Sequence, residues 1–238
     1  MKDNIIKFKN MLNECNNIVF FGGAGVSIES GIPDFRSKAG LYNQRYKYPP
    51  EKILSHTFFF NNTEEFYNFY RNKMNCIMYE PNITHYKLAE LEKNNKLKAI
   101  ITQNIDGLHQ KAGSNIVYEL HGSIYRNYCI KCNRFYDATF IFSSNSIPKC
   151  SCGGIIKPDV VLYEESLDDY TVDNSISAIK NADMLIVAGT SLTVYPAASL
   201  IKYFKGKYLV LINKDKTTYD NFADLVINES LGKVFKEI

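Results

Sequence analysis

The sequence lacks a hydrophobic run able to cross a membrane. Its longest uncharged stretch, the 18 residues from Met184 to Ile201, is interrupted by Gly189, Thr190, Ser191, Thr193, Pro196 and Ser199. It therefore reads as a buried strand, a turn and a helix start. Excess charge is small. The 28 basic and 25 acidic residues leave +3, too few and too dispersed to select nucleic acid. The opening residues Met1–Lys9 hold no apolar segment followed by a cleavage site, so no secretory leader is expected and a cytoplasmic location is. No internal repeat is visible. Six cysteines in a reducing compartment are not expected to pair as disulfides.

The 238 residues, 45% hydrophobic and 22% charged, are an ordinary globular composition. Their number fits one large domain carrying an insertion. Disorder, collagen and coiled coil are excluded as the main class. Residues 3–14 read as an amphipathic helix, and Asn17–Gly23 as a buried strand entering a glycine turn. Helices are expected at 64–78, about 82–95, 171–182, 196–205 and the C-terminus. Strands are expected at 97–102, 116–120, 159–163, 183–189, 207–213 and 224–227. Strands alternating with helices predict an α/β fold, a Rossmann-like parallel sheet with helices on both faces.

Four segments carry chemistry. Phe21-Gly-Gly-Ala-Gly-Val-Ser follows the first strand, and its small residues would let backbone N–H groups approach a pyrophosphate. The third glycine of the usual G-x-G-x-x-G is Ile28, so a plain strand–helix turn is the competing reading. Ser30-Gly-Ile-Pro-Asp-Phe-Arg then forms a loop with a ring at Phe35 and a cation at Arg36, suited to a lid.

Cys129-x-x-Cys132 and Cys150-x-Cys152, 17 residues apart, make a closed four-thiolate set that predicts one structural zinc. Residues 123–157 therefore read as an inserted module. A nucleic-acid-binding ribbon is the alternative, but its basic cluster is modest. Cys15 and Cys76 read as buried apolar residues.

Gln103, Asn104 and Asp106 follow one expected strand, and His121 follows another. Polar groups at the carboxyl ends of parallel strands line the ligand crevice, and a histidine there can act as a general base. An Asx turn is the bland reading of the first set. His109 is the second candidate base.

Together these segments resemble the sirtuin family of NAD-dependent protein lysine deacylases, in a short bacterial or archaeal form. The matching stretches are Gly23-Ala-Gly-Val-Ser, Gly31-Ile-Pro-Asp-Phe-Arg, Thr102-Gln-Asn-Ile-Asp-Gly-Leu-His, Glu119-Leu-His-Gly and the cysteine pairs. Lys157-Pro-Asp-Val-Val, Gly189-Thr-Ser-Leu-x-Val-x-Pro-Ala and Ile212-Asn follow in family order. The resemblance implies a Rossmann-like domain from 1–40, 86–122 and 158–238. A smaller domain would comprise a helical module at 41–85 and the zinc module at 123–157, with NAD between the two domains.

By similarity, Gly22, Ala24, Gly25, Asp34, Phe35 and Arg36 serve the phosphates and the cofactor loop. Gln103, Asn104, Ile105, Asp106 and His121 serve the ribose and nicotinamide. Gly189, Thr190, Ser191, Asn213, Lys214 and Leu231 serve the adenosine half. Val160, Val161, Leu162 and Tyr163 would pair with a substrate peptide as an added strand. The implied reaction has the acyl oxygen attack the nicotinamide ribose, His121 remove a proton from its hydroxyls with Asn104 placing ribose and water, and zinc take no part. The products are nicotinamide, lysine and O-acyl-ADP-ribose. The implied partners are acyl-lysine proteins, met by a monomer with no membrane or nucleic-acid contact.

Three positions depart from the family pattern. Ile28 stands where threonine is frequent, and Glu164 replaces a glycine. The Tyr-x-x-Arg of succinyl-preferring sirtuins is Tyr67-x-x-Tyr70, with Arg71 one place later and so turned about 100° around the helix. Weak desuccinylation is expected. An ADP-ribosyltransferase using the same NAD site, and a non-catalytic NAD-sensing scaffold, are the competing functions.

Overall fold

A computed structural model describes residues 2–34, 40 and 46–238. The chain begins with α1 (Lys2–Glu14) and β1 (Ile18–Gly22), then α2 (Pro50–Ile53), α3 (His56–Asn61), α4 (Thr63–Lys73) and α5 (Ile83–Lys93). It continues through β2 (Leu97–Thr102), α6 (Leu108–Lys111), β3 (Val117–Glu119), β4 (Gly122–Cys129), β5 (Phe135–Tyr136), α7 (Ala138–Ser143) and β6 (Ile156–Val160). It closes with α8 (Asp169–Asn181), β7 (Met184–Ala188), β8 (Tyr208–Ile212), β9 (Leu225–Ile227) and α9 (Leu231–Phe235).

Six strands form one parallel sheet in the order β3-β2-β1-β7-β8-β9. β1 and β7 are apolar at nearly every position and buried throughout, as a sheet covered on both faces requires. Alternate side chains go to opposite faces. Ile18, Phe20, Ile186 and Ile212 join one core under α1, α5 and α9. Val19, Phe21, Leu185, Val187 and Leu211 join another under α8 and the 3₁₀ segment Ala197–Tyr203. The strand order reverses at β1. The chain first builds outward through β2 and β3, then returns to β1's other side with β7, and that reversal opens a crevice at the carboxyl ends.

A second sheet is antiparallel, with β4 between β5 and β6. It shares a third core with the helical segment: Phe58, Phe59, Phe66, Tyr67 and Tyr70 pack with Ile124, Ile141, Ile156, Cys129 and Cys150. Helices and cysteine module thus form one smaller body.

Several expected boundaries move. The antiparallel sheet begins at Gly122 and ends at Val160, beyond 123–157 on both sides. The strand expected at 159–163 is Ile156–Val160, because the pairing partner is β4, with Asn127 opposite Pro158 and Cys129 opposite Ile156. Thr84 and His85 belong to the large domain rather than to a 41–85 module. They open α5, whose cap at Asn82 accepts from Thr84 N–H at 2.9 Å, and its Leu88 joins the α1/α9-side core. The helix expected at 196–205 is 3₁₀. The short α2 and α3 fall inside the expected helical module at 41–85, whereas the sequence reading places no helix at the short α6 and α7.

Candidate active site

The carboxyl ends of five sheet strands open onto one cleft of about 700 Å³ between the two bodies. β1 delivers Ala24 and Gly25 to its wall, β2 delivers Gln103, Asn104, Ile105 and Asp106, and the turn after β3 delivers His121. β7 delivers Gly189, Thr190 and Ser191, and β8 delivers Asn213 and Lys214. Asp34, Leu231 and the run Val160–Tyr163 complete the expected set. Gly22 does not line the cleft; it is buried at the end of β1. Phe35 and Arg36 lie outside the described residues.

The loops after β1 and β7 touch. Gly25 N–H donates to the Gly189 carbonyl at 2.8 Å, and a Cβ on Gly25 would come within 2.5 Å of Gly189 Cα. Small residues are therefore dictated by backbone contact. The helix start expected after this turn is replaced by short 3₁₀ turns at Ala24–Val26 and Ile28–Ser30.

Ser27, absent from the sequence-derived set, is the buried hub of the site. Its hydroxyl donates to Asp106 Oδ2 at 2.6 Å and accepts from Asn104 Nδ2 at 3.1 Å. Asp106 Oδ1 accepts from Leu108 N–H at 2.9 Å. Burial pushes the Asp106 carboxyl up, and the bonds from Ser27 and Leu108 oppose this. Gln103 Nε2 reaches Thr190 Oγ1 at 3.0 Å, and Thr190 N–H donates to Asn213 Oδ1 at 3.0 Å. That last bond fixes the Asn213 amide and leaves its Nδ2 buried with no partner among the described residues. An orphaned donor in the wall of an apolar cleft is what a sugar- or base-binding site presents before its ligand arrives.

His121 Nδ1 lies 2.9 Å from the Gln103 carbonyl oxygen. A carbonyl only accepts, so Nδ1 carries the hydrogen and the neutral ring keeps its lone pair on Nε2. Gly122, at φ +74°, turns the chain directly after the histidine, where a Cβ would lie 1.9 Å from the Asp159 carbonyl. Arg126 ties β4 to β3 of the parallel sheet and to β6, at 2.6 Å from Glu119 and 2.7 Å from Asp159.

His109 cannot serve as the base. It is 1% exposed, packs edge-on to His85 at 4.8 Å and does not line the cleft. Burial, then His85, pushes its pKa well below the usual histidine range. Burial likewise pushes His85 down to about 4. Its Nδ1 accepts from Asn82 N–H at 3.2 Å, an arrangement that protonation would break. A histidine depressed in the fold contributes stability above its unfolded pKa of about 6.5 and loses it as pH falls toward the folded value. Urea melts should therefore show stability falling by about 2 kcal/mol from His85 alone between pH 7.5 and pH 5, with His109 adding in the same direction. Unchanged stability across that range would contradict the burial of these rings.

The run expected to accept a peptide is only partly open. The N–H groups of Val161, Leu162 and Tyr163 already donate to the His121 carbonyl, the Glu165 carboxylate and the Leu54 carbonyl at 3.0, 2.9 and 2.9 Å. Only Val160 belongs to a regular strand. Glu164 sits at φ +74°, a conformation that favours glycine, and is held there as its carboxylate accepts from Thr57 N–H at 2.8 Å.

The four cysteine sulfurs all lie within 4.8 Å of one another, with Cys129–Cys152 and Cys132–Cys152 at 3.4 Å and Cys132–Cys150 at 3.5 Å. A tetrahedron of Zn–S bonds near ~2.3 Å has edges of roughly 3.8 Å, so the set fits one zinc ion. Gly154 makes room for it, since a Cβ there would stand 2.6 Å from Cys129 Sγ. Four thiolates leave no open position, and the cysteines are not among the cleft residues, so this metal is structural. Cys15 and Cys76 are buried, and desolvation pushes their thiols up to about 11 and about 12.

Comparison with known proteins agrees with this arrangement. The profile described as the Sir2 family matches residues 23–196. An NAD-dependent protein deacetylase of Clostridium acetobutylicum is 60% identical over 99% of this chain and 98% of its own. A Sir2 solved with p53 peptide and NAD+ superposes with a TM-score of 0.85 at 37% identity, covering 97% of this chain and 95% of that one. A Sir2 bound to acetylated peptide gives 0.86 at 35% identity, covering 98% and 95%.

Proposed function

The chain belongs to the Sir2 family, and from that premise we propose that it is an NAD-dependent protein lysine deacetylase. It transfers the acyl group of acyl-lysine to ADP-ribose, releasing nicotinamide, O-acyl-ADP-ribose and free lysine. The observation that carries this reading is the tautomer of His121. A cleft wall of small residues, amides and hydroxyls holds one histidine whose Nδ1 is committed to the Gln103 carbonyl, which leaves the basic lone pair of the neutral ring on Nε2.

NAD, when bound, supplies the electrophilic ribose carbon and the hydroxyl that receives the acyl group. Ala24, Gly25 and Gly189 form the close-packed loops that suit its phosphates. Asn213, whose Nδ2 has no partner among the described residues, and Thr190, Ser191, Lys214 and Leu231 suit the adenosine half. Gln103, Ile105 and Asp106 face the nicotinamide half, with Asp106 holding Ser27 and Ser27 holding Asn104. His121 takes a proton on Nε2 from a ribose hydroxyl, and the Gln103 carbonyl stabilises the cation that results. Asn104 orients the ribose and a water. Phe35 and Arg36 are assigned to a loop that covers the cofactor and excludes water. The peptide lies along Val160–Tyr163.

Acyl selectivity gives a test. Arg71 is directed away from the cleft, toward Ser146 O at 2.9 Å and Asn68 Oδ1 at 3.0 Å. The Lys73 ammonium sits 5.6 Å from the centre of the Tyr46 ring. Lys73 lines the cleft, so a succinyl carboxylate would have to draw its ammonium from the Tyr46 ring instead of meeting an arginine fork. With NAD and one peptide carrying acetyl- or succinyl-lysine, acetyl should be removed at least about tenfold faster, and Tyr70→Arg should narrow that gap. Equal wild-type rates would contradict the acyl-site assignment. The small, dispersed net charge supports action on proteins rather than nucleic acid, and a cytoplasmic monomer is proposed with it.

A further inference from the structure

The segment that carries Ser27 into the site is built of two 3₁₀ turns, Ala24–Val26 and Ile28–Ser30, with Ser27 between them. Ser27, Ile28 and Glu29 line the cleft. Three-residue 3₁₀ turns hold themselves weakly, because each closes few hydrogen bonds and those are poorly aligned. What fixes one turn against the other comes from Asn82, a residue of the α5 start that does not line the cleft.

The Asn82 amide acts in two directions. Its Oδ1 accepts from Thr84 N–H at 2.9 Å and caps α5. Its Nδ2 donates to the Val26 carbonyl at 2.8 Å and to Ser30 Oγ at 3.0 Å. One amide thus clamps the last residue of each turn. Thr84 N–H requires an acceptor and the Val26 carbonyl a donor, so the neighbours fix which end of the amide is which. The backbone beneath the clamp is held too, as Asn82 N–H donates to His85 Nδ1 at 3.2 Å. A second brace reaches the segment from α9, where Gly232 N–H donates to the Glu29 carboxylate at 2.9 Å. Aspartate or serine would cap α5 as well as asparagine does. The two hydrogens on Nδ2 are what a cap alone does not use.

We propose that Asn82 is a positioning residue for NAD: its Nδ2 clamp holds Val26–Ser30 in the shape that receives the cofactor. The inference rests on the reading of the cleft as an NAD site. A loop already in its binding shape needs no ordering step, and where only a fraction of molecules has that shape the dissociation constant rises by the inverse of the fraction. Bound NAD then restores the shape itself, so loss of the clamp falls on affinity and spares the chemical step.

Asn82→Ala and Asn82→Asp separate the clamp from the cap. Alanine loses both. Aspartate keeps the cap, since its carboxylate accepts from Thr84 N–H, but it sets an oxygen against the Val26 carbonyl. NAD affinity is measured by calorimetry without peptide, melting temperature without NAD, and KM and kcat with an acetyl-lysine peptide. The dissociation constant and KM for NAD should rise about tenfold in both variants, the size of one to two neutral hydrogen bonds. The kcat and the peptide KM should stay within about twofold of wild type. Melting temperature should fall by about 3 °C in Asn82→Ala alone. Wild-type NAD affinity in Asn82→Asp would overturn the proposal and leave Asn82 only its cap. So would weaker NAD binding matched by an equal loss of melting temperature in both variants, which would make the effect one of folding. If wild type binds no NAD, the reading of the cleft fails. If wild type binds NAD and Asn82→Asp binds it as tightly, this inference alone fails.

Discussion

His121→Ala should lose deacetylation by about a thousandfold or more in kcat, within the range that a positioned general base supplies. NAD binding and melting temperature should change little. The ring is partly exposed in a turn between β3 and β4, and its fixed bond is to a carbonyl that water can satisfy. The prediction is sharp because no other histidine can substitute. His85 and His109 are buried under the sheet, and His56, which does not line the cleft, is tied to Glu165 at 2.9 Å. Turnover near the wild-type rate would remove the general base from the account.

Removing zinc should have the other large effect, through folding rather than chemistry. Beyond the core face it shares with the helices, the cysteine end of the module has little else to hold it. β5 is two residues long, and a three-stranded sheet of this size is marginal without support. Structural zinc contributes on the order of 10 kcal/mol to such modules. Cys129 and Cys150 also belong to the core shared with α3 and α4, so loss of the metal should loosen the acyl side of the cleft. Cys150→Ala, or chelation, should abolish activity and expose amides 122–160 to hydrogen exchange while those of β1, β2 and β7 stay protected. One zinc per chain with unchanged exchange in the variant would refute the four-ligand site.

The parts legible in the sequence are those that local physics decides. β1, β7 and β8 are apolar at nearly every position because both sheet faces are covered, and no alternative structure accommodates such runs flanked by glycine or polar turns. The cysteine spacing fixed the ligand set, and strand ends brought His121, Gln103 and Asn213 to one cleft.

What escaped depends on distant contacts. Ser27 and Asp106 are 79 residues apart, and nothing in either local pattern announces the bond between them. β6 was misplaced because Ile-Lys-Pro-Asp-Val reads as a poor strand, while the apolar Val160–Tyr163 reads as a good one. Pairing with β4 overrides that preference, and Pro158 is tolerated because β6 is an edge. The apolar run instead turns away, tied by Tyr163 N–H to Leu54 O and by His56 N–H to Tyr163 O. Burial of His109 was equally invisible, since its ring packs on Phe20 and His85 from other elements.

The central claim is that the acyl group leaves lysine for ADP-ribose, and the products test it most directly. Purified protein is incubated with NAD and an acetyl-lysine peptide, and every product is weighed by mass spectrometry. Nicotinamide, free-lysine peptide and O-acetyl-ADP-ribose should appear in equal amounts, with none formed when NAD is omitted. Free ADP-ribose with the acetyl group still on lysine, ADP-ribose attached to peptide or protein, or peptide deacetylation yielding only acetate without NAD, would contradict the account.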